Sequence, residues 1–351
     1  MGLFVFGVAE PLWHQSGHSF AEAGYRSQDE VDLYAINMAV SNWGIAGWSA
    51  YALVGLALSL ASHRFGLPLT LRSCFYPILG DWTWGWIGDM VDTLTICVTL
   101  MGVSTSLGLG AIQLVESLRY SGWINETLSR DPFHMQILRN TAVWMITIIT
   151  VISVVSGVNG GVRIMSVGAI CLGALLTLLV FLMDDTTFLL NLLVQEVGYY
   201  LQHSLFEVNF WTDAFGQLEA GSGRAIDDKS SEVWWMDSWM IFYQAWWVSW
   251  AAFVGIFLAR ISKGRRVREF LLFSLAAPVG VCLSWFCIWG GVGLRQHRQA
   301  KELEVLGSLV FKDSDFFRVQ GTTCFNVPQD DIVVNGTTFF ANRLLGVTPV
   351  W

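Results

Sequence analysis

Ser238-Trp239-Met240-Ile241-Phe242-Tyr243-Gln244-Ala245-Trp246-Trp247-Val248-Ser249-Trp250 opens a stretch, residues 238–259, that contains no Asp, Glu, Lys or Arg. A helix needs about 20 apolar residues to cross the hydrocarbon core of a bilayer, and this stretch is long enough. Five others are equally free of charge: residues 36–62, 93–115, 141–162, 164–183 and 270–294. Each reads as a membrane span. A shorter hydrophobic piece, residues 1–9, stops at Glu10-Pro11 and reads as part of a span, without the basic n-region of a signal peptide.

Composition agrees with this pattern. Of 351 residues, 54% are hydrophobic and 14% charged, and the mean hydropathy is +0.50. A soluble globule of this size needs more polar surface, so the fold class expected is all-α, a polytopic membrane protein whose partner is the lipid bilayer. The net charge of −8 argues against nucleic-acid binding.

Basic residues close to the spans set the expected orientation, because short basic loops stay cytoplasmic. Arg260, Lys263, Arg265, Arg266 and Arg268 form the densest cluster, which places residues 260–268 in the cytoplasm and residues 295–351 outside. The sequons Asn125-Glu126-Thr127 and Asn335-Gly336-Thr337 both fall outside on this scheme; Asn335-Gly336 also suits a two-residue hairpin turn. Among the six cysteines, Cys97, Cys171, Cys282 and Cys287 fall in spans, Cys74 in a cytoplasmic loop and Cys324 outside, so no disulfide framework or metal motif arises. His14 and His18 have i, i+4 spacing, yet the other histidines are scattered over both sides, and no metal centre is expected.

Between the fourth and fifth full spans, Phe188, Leu189, Leu192, Leu193, Val197, Tyr200 and Leu201 recur at helical spacing. Residues 186–210 therefore read as an amphipathic helix on the outer membrane surface. A loop rich in Gly, Ser, Asp and Glu follows over residues 212–232, and residues 295–351 form a polar outer segment with some strand character.

The candidate sites are aromatic. At about 100° per residue, Trp239, Phe242, Tyr243, Trp246, Trp247, Trp250 and Phe253 share one broad helix face. An interfacial belt would be confined to one end of the span, whereas these residues cover about four turns, which favours a lined path. Trp43, Trp48 and Tyr51 form a second set, with Gly44 and Gly47 between its members. Alone it reads as helix packing; paired with the first it forms a box of ring faces able to attract a quaternary cation without a buried carboxylate. Thr99, Ser104, Thr105 and Ser106, interleaved with Gly102, Gly108 and Gly110, have two readings: oxygen ligands for Na⁺, or hydroxyls bonded back to their own helix.

These residues resemble the betaine/choline/carnitine transporter family. The resemblance runs through Gly7-Val8-Ala9-Glu10-Pro11, Trp43 with Trp48 and Tyr51, Ser106-Leu107-Gly108-Leu109-Gly110, Ser156-Gly157-Val158 with Gly160-Gly161, and Trp246-Trp247-Val248-Ser249-Trp250. It continues through Phe253-Val254-Gly255 and Phe257-Leu258-Ala259-Arg260-Ile261-Ser262-Lys263-Gly264-Arg265, and covers residues 1–293. It implies a LeuT-like inverted-repeat bundle that carries a quaternary-ammonium or related onium solute across the plasma membrane, ion-coupled or by exchange. Trp43, Trp48, Tyr51 and Trp247 then correspond to the central substrate-binding box, and Trp246, Trp250 and Phe253 to the permeation path. Thr99 corresponds to a sodium-associated threonine, with Na⁺ the implied coupling ion, and the helix near residues 186–210 to one that supports a homotrimer.

Several positions depart from the family pattern: Asn42, Met240, Gln244, Ala252 and Val103. Val103 replaces a second sodium-associated threonine and offers no side-chain oxygen. The chain also corresponds to only part of the bundle, beginning inside the first core helix and ending after the second helix of the second repeat, so these 351 residues alone are not expected to transport. The rival to a transporter is a membrane sensor that binds an onium ligand without moving it. An intramembrane enzyme is disfavoured, since no span carries an acid, a histidine pair or an activated nucleophile.

Overall fold

The computed structural model describes residues 2–16, 27–121, 123–124, 131–156, 161, 163–212, 214, 236–306, 332–334 and 337–339. Among these are six helices long and apolar enough to cross a membrane: Gln28–Arg64, Trp86–Arg119, Pro132–Val155, Arg163–Met183, Trp239–Ile261 and Val267–Ala300. Each overlaps one of the charge-free stretches. The fold is that of an all-α polytopic membrane protein. Leu172, Leu175, Leu178 and Leu182, like Ile148 and Ile152 on a neighbouring span, point outward, as lipid-facing residues do.

The helices are α1 (Gly2–Ser16), α2 (Gln28–Asn42), α3 (Ile45–Ser59), α4 (Trp86–Tyr120), α5 (Pro132–Val155), α6 (Arg163–Met183), α7 (Thr186–Tyr199), α8 (Phe242–Ile261), α9 (Val267–Leu271) and α10 (Ala277–Leu306). Four wide π turns extend or join them: Leu60–Arg64 after α3, Tyr200–Ser204 after α7, Asp237–Ile241 before α8, and Leu272–Ala276 between α9 and α10. Two short strands, β1 (Ile332–Val334) and β2 (Thr337–Phe339), pair antiparallel with Val334 opposite Thr337, which brackets the Asn335-Gly336 dipeptide expected to turn. The sequon asparagines Asn125 and Asn335, His18, Cys324 and most of residues 212–232 lie outside the described residues.

The chain divides into two compact units. One comprises Met1–Ala39, Ala111–Gly198 and Ser284–Trp351; the other comprises Val40–Gly110 and Tyr199–Leu283.

In the first unit, α1 does not stop at Glu10-Pro11 as expected; it continues to Ser16 with Pro11 inside it. A proline in a helix interior leaves the carbonyl four residues earlier without its amide donor. Here that carbonyl belongs to Gly7, and α10 approaches it at Gly290, where an added Cβ would lie 2.9 Å from Pro11 Cγ and 3.3 Å from the Gly7 oxygen. Glu10 is fully buried, and its Oε1 lies 3.3 Å from His14 Nε2 one turn on.

The border expected at Arg295 is likewise no helix end, because α10 runs on to Leu306. Hydropathy reports where lipid stops, whereas Arg295, Arg298 and Lys301 are good helix formers that extend the same helix beyond it. Arg295 pairs with Asp184 at 2.6 Å, and Arg298 bridges Asp29, at 2.6 Å, and Asp32 on α2. α5 begins at an Asp131 N-cap whose carboxylate accepts from the Phe133 amide at 2.9 Å, with Pro132 supplying the first-turn geometry.

The amphipathic helix expected over residues 186–210 forms as α7 and its wide turn, but its inner face differs. Leu189, Leu192 and Glu196 are buried, while Val194, Val197 and Leu201 point out. Leu189, Leu192 and Tyr200 of the expected stripe are covered, whereas Val197 and Leu201 are not, because both sides of this helix are apolar enough to bury and packing chooses between them.

In the second unit, α8 lies along α3, closest at two glycines. A Cβ on Gly255 would lie 3.1 Å from the Gly55 amide nitrogen and 2.6 Å from Val54 Cγ1, so only hydrogen fits there. Beyond this crossing the pair is tied by His63 Nε2, which donates to the Ala259 carbonyl at 2.8 Å, and by the Ser59 and Ser262 hydroxyls 3.0 Å apart.

Candidate functional site

The span that reads as continuous in sequence is broken in the structure. α2 ends at Asn42 and α3 begins at Ile45, with Gly44 in an extended conformation between them. A broken helix leaves carbonyls and amides without intrahelical partners, and in lipid each must find one. Three aromatic side chains supply them. Trp247 Nε1 donates to the Asn42 carbonyl at 2.9 Å, Trp48 Nε1 donates to the Trp43 carbonyl at 3.1 Å, and the Ile45 amide donates to the Tyr200 hydroxyl at 2.9 Å. The Ser41 and Ser204 hydroxyls lie 2.5 Å apart beside the same break.

The rings thereby converge. Trp247 sits 5.8 Å from Trp43, 5.3 Å from Trp48 and 4.9 Å from Tyr51 between ring centroids, and Trp48 meets Tyr51 edge-on at 5.6 Å. Trp43, Tyr51 and Trp247 are 8%, 9% and 6% exposed, so the cluster is packed. Gly47 makes room for it: a Cβ there would fall 2.3 Å from Trp247 Cε2. The four residues expected to form a box are brought together by α3, α8 and the break that carries Trp43.

Tyr243 and Tyr200 were not among the expected site residues. Tyr243 is fully buried and its hydroxyl accepts from Trp43 Nε1 at 3.3 Å. It lies on the aromatic face read from the sequence, where spacing reveals the ring but not its hydroxyl's partner. Tyr200 belonged to the expected surface stripe; its link to Ile45 spans 155 residues and leaves no local signal.

Trp246 meets Trp43 edge-on at 5.8 Å and stacks on Tyr243 at 6.0 Å. Trp250 meets Phe253 edge-on at 5.7 Å and approaches Gly102 of α4, where a Cβ would lie 3.2 Å from its Nε1. Phe253 is 48% exposed. Within α8 the inner set (Tyr243, Trp246, Trp247) is thus distinct from the pair Trp250 and Phe253.

Thr99 and Val103 lie on α4, which is continuous through both. The Thr99 hydroxyl donates to the Thr95 carbonyl at 2.7 Å and Thr105 donates to the Met101 carbonyl at 2.9 Å. Val103 is 44% exposed. Thr99 and Thr105 thus bond back to their own helix. Among the described residues no group of three or more His, Cys, Asp or Glu could hold a metal ion.

The chemistry available at the centre follows from which parts of the rings are occupied. The N–H edges of Trp43, Trp48 and Trp247 are already donated within the protein. What these three indoles leave for a ligand is their ring faces, whose negative quadrupole attracts cations.

Fold and centre together define a polytopic helical membrane protein built around an uncharged aromatic cluster at a helix break. The chain belongs to the betaine/carnitine/choline family of transporters, whose family model matches residues 1–320. It is a family of transporters, not of enzymes. The chain is 38% identical over 300 residues to a glycine betaine/proline/choline/ectoine transporter of Vibrio parahaemolyticus, covering 84% of this chain and 48% of the other. It is 38% identical over 292 residues to an osmo-dependent choline transporter of Acinetobacter baylyi, covering 83% and 39%, and 37% identical over 316 residues to an osmo-independent choline transporter of the same organism, covering 89% and 55%. The chain thus spans 39–55% of the length of these relatives.

Proposed function

We propose that the complete protein is a secondary active transporter of a quaternary-ammonium or related onium solute, of the glycine betaine, choline, carnitine or dimethylsulfoniopropionate type. The observation that carries this reading is the cluster of Trp43, Trp48, Tyr51 and Trp247, in which the Trp247 ring lies 4.9–5.8 Å from the other three between centroids. Two of its indole N–H groups are committed to the broken helix, and neither contributing span, residues 36–62 or 238–259, carries a charge. An onium group has no N–H to donate and needs only faces, each worth roughly 0.5–2 kcal/mol when desolvated. A discontinuous helix is also where transporters of known architecture bind their solutes. The names of the relatives from V. parahaemolyticus and A. baylyi support the same solute class.

On this reading Trp43, Trp48, Tyr51 and Trp247 hold the onium group, and Trp246, Trp250 and Phe253 line its path within a LeuT-like bundle in the plasma membrane. Residues 260–268 face the cytoplasm and residues 295–351 the exterior. Three copies associate through the region of α7. Sodium is the candidate coupling ion, with Thr99 its candidate contact; the Thr99 carbonyl-directed hydroxyl and the neighbouring Val103 argue for a small contribution from this position.

Uptake of radiolabelled glycine betaine or choline into proteoliposomes carrying the full-length gene product tests the proposal. Accumulation above the external concentration under an imposed ion gradient is expected. Saturable binding without accumulation would identify a sensor instead.

A further inference from the structure

Glu196 stands where a hydrophobic residue belongs. On α7 the inward stripe is Leu189, Leu192 and Glu196, and the stripe faces α10: a Cβ on Gly291 would lie 2.6 Å from Leu192 Cδ2 and 3.3 Å from Leu189 Cδ2. Glu196 is 0% exposed, and neither of its carboxylate oxygens has a hydrogen-bond partner among the described residues. The titratable group that senses it is the thiol of Cys287, also fully buried, on the same helix α10. No neighbouring cation offsets the burial among the described residues, and burial pushes the Glu196 carboxyl well above the usual carboxylate range.

An ionised carboxylate in such a place is closed off from solvent and has neither counter-charge nor donor among the described residues, and the neutral acid is the form that apolar packing tolerates. Leucine or methionine would fill the stripe without that liability, so the carboxyl adds a property that packing alone does not require.

We propose that Glu196 is a proton-binding site: its carboxyl carries a proton while α7 is docked on α10, and gives it up to water when that contact opens. The ligand is a single proton, bound as O–H on docking and released as the O–H bond breaks on opening. This site is separate from the aromatic centre and holds whether or not that centre binds an onium group.

The sign of the pH effect follows. The docked acid has a higher pKa than the open, solvated one, so docking is fully supported below the ordinary carboxylate value. Support is lost as pH rises from that value toward the raised one, and over this window the open fraction grows about ten-fold per pH unit.

Cys287 provides the reporter, since its thiol is covered only while the helices are packed. The full-length protein in nanodiscs is treated with a small neutral alkylating reagent from about pH 5.5 to about pH 8, and modification of the Cys287 peptide is timed by mass spectrometry. Glu196→Gln, the neutral isostere, corrects for the thiol's own ionisation. The wild-type rate divided by the Glu196→Gln rate should rise with pH, by up to about ten-fold per unit, and level off once the docked carboxyl ionises. Should Glu196→Gln fail to fold, Glu196→Leu, which restores the apolar stripe, serves as the same reference. Parallel pH profiles for wild type and reference, or Cys287 more reactive in the reference at every pH, would overturn the proposal.

Discussion

Trp247 Nε1 donates a hydrogen bond of 2.9 Å to the backbone carbonyl of Asn42, 205 residues away in the chain. The same side chain that completes the aromatic cluster also stabilises the end of the broken helix. Ring and donor can therefore be separated by substitution.

Trp247→Phe keeps a ring face and removes the indole donor to the Asn42 carbonyl. Unfolding should become easier by roughly 1–3 kcal/mol while part of the onium binding survives. Trp247→Leu should lose a further 1–2 kcal/mol of binding, on the order of ten-fold in affinity. Trp250, whose Nε1 has no hydrogen-bond partner among the described residues, is the comparison. Trp250→Phe should be nearly silent in thermal unfolding, and Trp250→Leu should weaken binding less than Trp247→Leu does. Equal binding losses at positions 247 and 250 would remove the case for a box centred on Trp247.

Gly47→Ala places a methyl 2.3 Å from the Trp247 ring, too close for small adjustments. Overpacking of this kind costs about 1–3 kcal/mol, and here it must move the ring as well. Gly280→Ala meets open space within a helix and should be neutral or stabilising by up to about 1 kcal/mol. Melting temperature and onium affinity measured on both variants separate a general effect of added methyls from displacement of Trp247.

Thr99→Ala removes a hydroxyl bonded to its own helix, so sodium dependence of uptake by the full-length protein should change little. Val103→Thr should strengthen it if other ligands are in place. Strong sodium dependence abolished by Thr99→Ala would show that one hydroxyl is enough for the site.

The start of α5 should weaken in acid. His134, joined by the Phe133 amide, holds the Asp131 carboxyl below the usual carboxylate range. A group whose folded pKa is depressed contributes above its unfolded value and loses that contribution as pH falls through the folded one. Hydrogen exchange of the first amides of α5, corrected for intrinsic rates, should speed up in that window. Asp131→Asn, which caps a helix without titrating, should remove the dependence.

An impermeant maleimide applied to intact cells should label Cys324 on the proposed sidedness. Labelling only after permeabilisation would reverse the orientation.

The spans were legible because lipid imposes one requirement everywhere along them, and the absence of charge marks each one. The ring cluster was legible in membership, since Trp43, Trp48 and Tyr51 on one span and Trp247 on another share a chemistry. The break between Asn42 and Ile45 was not. No proline marks it, and its backbone groups are satisfied from residues 48, 200 and 247, two of them far along the chain. The helical path of α1 through Pro11 was hidden similarly, because the glycine that accommodates it is Gly290. On α7, periodicity identified the helix and the covered Leu189 and Leu192, but not that Glu196 would share their face.

All four π turns named above, Leu60–Arg64, Tyr200–Ser204, Asp237–Ile241 and Leu272–Ala276, belong to the unit that carries the aromatic cluster. Each holds one surplus residue relative to an α-helix. A surplus can migrate along its helix by exchanging neighbouring hydrogen bonds, without any bond to water, and every residue it passes swings by about 100° around the axis. The helices next to the rings thus possess a means of rotating individual side chains in or out while their ends stay fixed.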